Sequence, residues 1–216
     1  MRNKFDMQLE SLSEQLIHMG ELCEVAIDKA TTALQQGSIE QAKEVIAADE
    51  EIDQMEKDIE RLCLKLLLQQ QPVARDLRQI SAALKMITDM ERIGDQTSDI
   101  AEIIIPRRNR KPVISQDREN VRAAARMVRD SVRAYVNKDL ELARQVMEAD
   151  NEVDLLFEDN KKELIEFIAQ NNGDQGKEAI DLIMVAKYLE RIGDHATNIA
   201  EWVEFSITGI HKDSKV

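Results

Sequence analysis

Two tandem, pseudo-symmetric three-helix bundles, an all-α fold, follow from three features of this chain. The first is a scarcity of turn formers. Seven glycines and three prolines in 216 residues fall below half the usual ~7% and ~5%, too few for a sandwich, barrel or doubly wound sheet. The second is that the few breakers cut the chain into six long helical runs. The third is a duplication: Glu91-Arg92-Ile93-Gly94-Asp95 through Ile100-Ala101-Glu102 recurs as Glu190-Arg191-Ile192-Gly193-Asp194 through Ile199-Ala200-Glu201, with eight of twelve positions identical at an offset of 99. Upstream, Ala48-Asp49, Ile52-Asp53 and Asp58 answer to Ala149-Asp150, Val153-Asp154 and Asp159 at an offset of 101. A fixed internal period marks a repeated supersecondary unit.

In chain order, a first helix runs from about Phe5 to the Gly37-Ser38 break. Ser38-Ile39-Glu40-Gln41 has the form of a capping box, with Gln41 placed to reach back to the cap. The second helix continues to about Gln70, and Pro72 suits the first turn of a third that ends at Ile105. The run 106–114, rich in Arg, Lys and Pro, reads as a linker between domains 1–105 and 115–216. Ser115 and Asp139 are N-caps of the fourth and fifth helices, and Asn171-Asn172-Gly173 breaks the chain before a sixth ending near Thr208. Short connections make neighbouring helices antiparallel.

Charge and cysteine usage exclude several function classes. With 42 acidic against 29 basic residues and a net charge of −13, the chain lacks the broad basic surface that a nucleic-acid binder needs. No apolar run reaches the ~18 residues of a membrane span, and the start has no secretory h-region. Cys23 and Cys63, on separate helices, read as reduced core thiols. A cytoplasmic protein is expected.

On the third helix, Glu91, Asp95, Asp99 and Glu102 fall within about 80° of one another at ~100° per residue. Glu190, Asp194, Asn198 and Glu201 repeat that stripe with one amide. Like charges at i,i+4 oppose the helix, and no Lys or Arg falls within the stripe, Arg92 projecting about 100° from Glu91. The stripe also prolongs an apolar line through Ile80, Leu84 and Ile87, so something positive should lie against it. Gly94 and Gly193 sit inside the motif although an interior Gly costs ~1 kcal/mol. Each marks a close approach, by another helix or by a bound group. Asp49, Asp53, Glu56 and Glu60 form a second stripe, of which the other half keeps only Asp150 and Asp154, with Phe157 and Lys161 in place of the later acids. Carboxylates without His or Cys make a hard-oxygen donor set, suited to magnesium, manganese, calcium or iron and able to bridge several ions. The alternative is a solvated or ion-paired face.

Catalytic signatures are missing. No Glu-x-x-His pair of a di-iron site occurs, nor a nucleophile elbow, phosphate loop or Cys–His pattern. His195 diverges from its neighbour Asp194 and reads as a bundle or surface histidine. Between Arg107 and Arg133 nine basic residues face three acidic ones. Arg118, Arg122, Arg126, Arg129 and Arg133 line one face of the fourth helix, suited to ion pairs with an acidic neighbouring helix or to docking an acidic partner or anionic membrane surface.

The twin Glu-Arg-Ile-Gly-Asp segments, each leading to Ile-Ala-Glu within a three-helix repeat of about 100 residues, resemble the PhoU family of bacterial phosphate-transport accessory proteins. The resemblance spans essentially the whole chain. It implies bound metal clusters on the motifs, as in several members: Glu91, Asp95 and Asp99 as ligands in one half, Glu190, Asp194 and Asn198 in the other, and Asp49, Asp53, Asp150 and Asp154 from the facing helices. The expected cofactors are iron, zinc, manganese or magnesium, singly or as multinuclear clusters, at two non-equivalent sites. The resemblance further implies a negative regulator of phosphate uptake and phosphate-starvation signalling, a homodimeric adaptor between the ATPase of a phosphate ABC transporter and a sensor histidine kinase. It would meet the membrane only through those partners. The rival readings from the residues are an oxygen-ligated hydrolase or oxidase and a metal-free structural bundle.

Overall fold

The computed structural model describes residues 2–70, 72–107, 117–173 and 175–210, with side chains for 4–68, 72–106, 119–173 and 175–210. Six α-helices follow in order: α1 Arg2–Gln36, α2 Ile39–Gln70, α3 Ala74–Ile104, α4 Asp117–Asn137, α5 Leu140–Gln170 and α6 Gly176–Thr208. Helices α1–α3 pack as one antiparallel bundle and α4–α6 as its pseudo-symmetric copy. The copies join side by side through α3 against α6 and α1 against α4. Both central helices bury several alanines, among them Ala82, Ala83 and Ala101 on α3 and Ala196 and Ala200 on α6. At Gly20 a Cβ would sit 2.9 Å from Val132 Cγ2, so the bare backbone seats α1 against α4.

The helix ends carry several local corrections. Ser38 Oγ accepts from the Gln41 backbone N–H at 3.3 Å, but Gln41 Oε1 is buried without a hydrogen-bond partner, so the reciprocal arm of the capping box does not form. Pro72 lies before the N-cap, Val73, rather than in the first turn of α3. Ile105 leaves the α-helix and, with Pro106 and Arg107, forms a 3₁₀ turn. Residues 108–114 of the expected linker, and Ser115, lie outside the described residues. Asp139 caps α5 as expected, accepting from the Leu142 N–H at 3.0 Å. Cys23 and Cys63 are free and buried.

The arginine stripe of α4 is partly engaged in ion pairs. Arg126 reaches Glu152 on α5 and Arg129 reaches Glu24 on α1, both at 2.9 Å, while Arg133 faces Asp130 on its own helix at 3.7 Å. The side chain of Arg118 lies outside the described residues.

Candidate metal centre

Helix α2 crosses α3 at Gly94. A Cβ there would stand 2.6 Å from Asp49 Oδ1 and 3.1 and 3.3 Å from Ile52 Cδ1 and Cγ2. The twin position is looser: at Gly193 a Cβ would lie 3.2 Å from Val153 Cγ1 and 3.6 Å from Asp150 Oδ1. The motif glycine thus accommodates a facing helix, and the side chain it admits is in each half a carboxylate. A repeated Asp-x-x-(Ile/Val) on α2 and α5 supplies both contacts, which is why the two stripes recur together.

In the first half negative charge accumulates. Asp49 Oδ1 is buried with no hydrogen-bond partner, and burial, then the charges of Asp95, Asp53 and Asp99, push its carboxyl up to about 6. Glu91 is raised by burial and Asp95, Glu56 by burial and Glu60, and Asp99 by burial and Glu102. Each shift marks a carboxylate with too little compensating positive charge. One expectation is corrected. Arg92 curls back onto the stripe, with Nη1 2.8 Å from Asp95 and Nε 3.4 Å from Glu91. A 100° separation at Cβ does not hold apart an arginine and its i+3 neighbour. Arg92 remains half-exposed and leaves Asp49 untouched.

The second half is better compensated. Lys187 pairs with Glu190 and opposes the rise that burial, Glu190, Asp150 and Asp154 impose on Asp194. Lys161 and Lys187 each stand 5.3 Å from the centre of the Phe157 ring, so an aromatic ring and an ammonium group stand in place of Glu56 and Glu60, with a second ammonium beside them.

Asp99 and Asn198 turn to the α3–α6 seam. Asn198 Nδ2 donates to Asp89 Oδ1 at 3.1 Å, and His195 Nδ1 lies 2.9 Å from the same oxygen. At the pseudo-equivalent place Tyr188 stands beside Asp99 and favours its charged form. Tyr188 and Asp89 are themselves counterparts at the offset of 99, so the seam carries two related polar clasps that the sequence reading did not find. Asp99 keeps its charge coupling to Asp49, and a cleft of about 690 Å³ opens between Asp49, Asp95, Asp99, Glu102, Arg191 and His195.

Among the described residues no three His, Cys, Asp or Glu side chains converge closely enough to hold a metal ion as they stand. In donor chemistry the first half nevertheless fits a hard cation: an unpartnered buried carboxylate oxygen, acidic neighbours at raised pKa, and a glycine that leaves room for the carboxylate. The second half, with Lys187 among its acids, fits less well.

A family model described as PhoU domain matches residues 16–104 and again 119–203. The chain belongs to the PhoU family. The PhoU-family chain is 34% identical over 215 residues to a phosphate-specific transport system accessory protein PhoU homolog of Clostridium acetobutylicum, covering 98% of each. It is 40% identical over 191 residues to the homolog of the same name from Aquifex aeolicus, covering 87% of this chain and 86% of that one. Its fold matches the crystal structure of PhoU from Pseudomonas aeruginosa with a TM-score of 0.89 at 32% identity, over 95% of this chain and 100% of the other. The phosphate transport system regulatory protein PhoU from Streptococcus pneumoniae gives 0.89 at 26% identity, over 97% and 99%.

Proposed function

We propose that this chain is an accessory protein of a phosphate-specific transport system that restrains phosphate uptake and phosphate-starvation signalling from the cytoplasm. In this reading it is a homodimeric adaptor between the transporter's ATPase and a sensor histidine kinase. The observation that carries the reading is the match of both halves to the PhoU domain, with end-to-end likeness to relatives named as phosphate-transport accessory proteins. No helix among the described residues is long and apolar enough to cross a membrane, which suits action through partner proteins. Deleting the gene should derepress phosphate uptake and alkaline phosphatase in phosphate-rich medium. Unchanged regulation would refute the role.

Asp49, Asp53, Glu91 and Asp95 are the residues that would hold a hard divalent or trivalent cation between α2 and α3, with Asp99 from the seam. Asp150, Asp154, Glu190, Asp194 and Asn198 are the weaker counterparts. A bound cation supplies positive charge that offsets the carboxylate crowding and ties α2 to α3. The protein's part is to present the oxygens: Gly94 admits Asp49, and the apolar line below Glu91 excludes water from one side. The ion pairs of Arg92 and Lys187 favour a second reading, in which the stripes serve as docking faces without metal. Under the metal reading added divalent ions raise the melting temperature by mass action; under the docking reading they leave it unchanged.

A further inference from the structure

The end of the molecule away from the motifs holds a cavity of opposite character. A cavity of about 160 Å³, open to solvent on the side of the exposed Arg75 and Lys138, lies where the first turns of α3, the C-terminus of α4 and the last turns of α6 meet. Arg75, Arg78, Gln79, Tyr135, Lys138 and Ser206 line it. Among the described residues no carboxylate does, in a chain of net charge −13. Among the described residues Arg75, Arg78 and Lys138 form no ion pair, and Arg78 Nε is buried without a hydrogen-bond partner. Gly209 lies beside the Arg78 side chain: a Cβ added there would stand 3.6 Å from Nε. Two of these cations lie in the first turns of α3, at the positive end of the helix dipole, where an arginine is unfavourable. The one acid of that first turn, Asp76, does not line the cavity.

Lys138 adds an independent argument. It occupies a left-handed position, φ 53°, at the C-terminus of α4. Its counterpart after α1 is Gly37, φ 69°, with the same turn hydrogen bonds: Gly37 N–H to Leu34 and Ser38 N–H to Ala33, against Lys138 N–H to Tyr135 and Asp139 N–H to Ala134. Glycine is the unstrained residue at such a helix end. The second half therefore holds a lysine in a conformation that disfavours it, and that lysine lines the cavity. Tyr135 and Gln79 are likewise unmatched, Leu34 and Glu178 standing at their counterpart positions. A feature needed for the fold alone would recur in both halves.

The hydroxyls define the ligand. Tyr135 donates its proton to the Gln79 carbonyl at 3.0 Å, and Ser206 donates its proton to the Val203 carbonyl at 2.8 Å. Each hydroxyl oxygen can then only accept. A wall of three cationic donor groups and two acceptor-only oxygens matches a small tetrahedral anion that still carries a hydrogen. We propose that this cavity binds hydrogen phosphate. Sulfate carries no proton to donate, and a phosphomonoester, with its second pKa near 6, carries none at pH 8.

The test is calorimetric titration of the full chain at pH 8 in chelator, which removes any contribution of metal at the carboxylate cluster. Inorganic phosphate, sulfate and glycerol phosphate are titrated into wild type, Lys138→Gly and Arg78→Gln. Wild type should bind inorganic phosphate saturably, one per chain, and sulfate and glycerol phosphate at least about tenfold more weakly. Loss of one charge-assisted hydrogen bond should weaken phosphate binding about ten- to a hundredfold in either variant. In phosphate-free buffer Lys138→Gly should melt higher than wild type, because glycine relieves the left-handed position. Absence of saturable phosphate binding, or equal affinity for sulfate, would overturn the proposal. So would full phosphate affinity in Lys138→Gly. None of these results bears on the metal reading.

Discussion

Replacing Gly94 and Gly193 by alanine, one at a time, separates close packing from helix propensity. In an open helix each change would stabilise by ~1 kcal/mol. At Gly94 the new Cβ would sit 2.6 Å from Asp49 Oδ1 and 3.1 Å from Ile52 Cδ1, so α2 or its side chains must shift, an overpacking cost of ~1–3 kcal/mol. The net expectation is a loss of up to about 2 kcal/mol, or up to about 8 °C in melting temperature for a chain of this size. At Gly193 the tightest approach is 3.2 Å, to a single methyl of Val153, and the two effects should cancel to within about 0.5 kcal/mol. Urea unfolding followed by far-UV circular dichroism, in chelator, measures both. In an Asp49→Ala background the penalty of Gly94→Ala should shrink, because its nearest obstacle is gone. If both glycine variants stabilise equally, α2 does not seat on α3 at Gly94 and the description of the site fails.

Asp49→Asn should stabilise the chelated protein at pH 8. The folded carboxyl, raised to about 6, lies above its unfolded value near 3.9, so its repulsion is absent below pH ~4, grows between ~4 and ~6 and is full above. Two pKa units set a ceiling of ~3 kcal/mol; partial exposure screens this to about 1 kcal/mol, read from urea midpoints at pH 8 and vanishing at pH 4. Arg92→Ala removes a cation that competes for Glu91 and Asp95, and should tighten divalent-ion binding several-fold by calorimetry; weaker binding would contradict that reading. Asp89→Ala and His195→Ala should prove non-additive in a double-mutant cycle by ~0.5–2 kcal/mol, while strict additivity would remove the clasp between α3 and α6. Cys23 and Cys63, both held up to about 12 chiefly by burial, should resist a thiol reagent in the native protein and react once it is unfolded; fast native labelling would refute their burial.

Periodicity and internal likeness made the architecture readable. The six helices and the repeat follow from spacing along single helices, and interior glycines at matching positions marked a close approach without naming what approaches. What spacing could not supply is which helices meet. The bonds of His195 and Asn198 to Asp89, and the pairing of Tyr188 with Asp99, depend on α3 lying against α6, and no local signal sets that arrangement. Arg92 escaped because a wheel projects Cβ directions and ignores the reach of a long side chain. The cationic cavity draws Arg78, Lys138 and Ser206 from α3, the turn after α4 and α6, in both halves, a convergence no single segment records.

The metal ion proposed for the α2–α3 carboxylate cluster is open to a chemical check. Elemental analysis of protein purified without chelator or a metal-binding tag tests it most directly, with an Asp49→Asn, Asp95→Asn double variant alongside. Wild type should carry stoichiometric iron, zinc, manganese or magnesium, and the variant should lose it. Wild-type protein that carries no metal and takes up none on addition would contradict the metal reading, as would equal metal content in the two proteins.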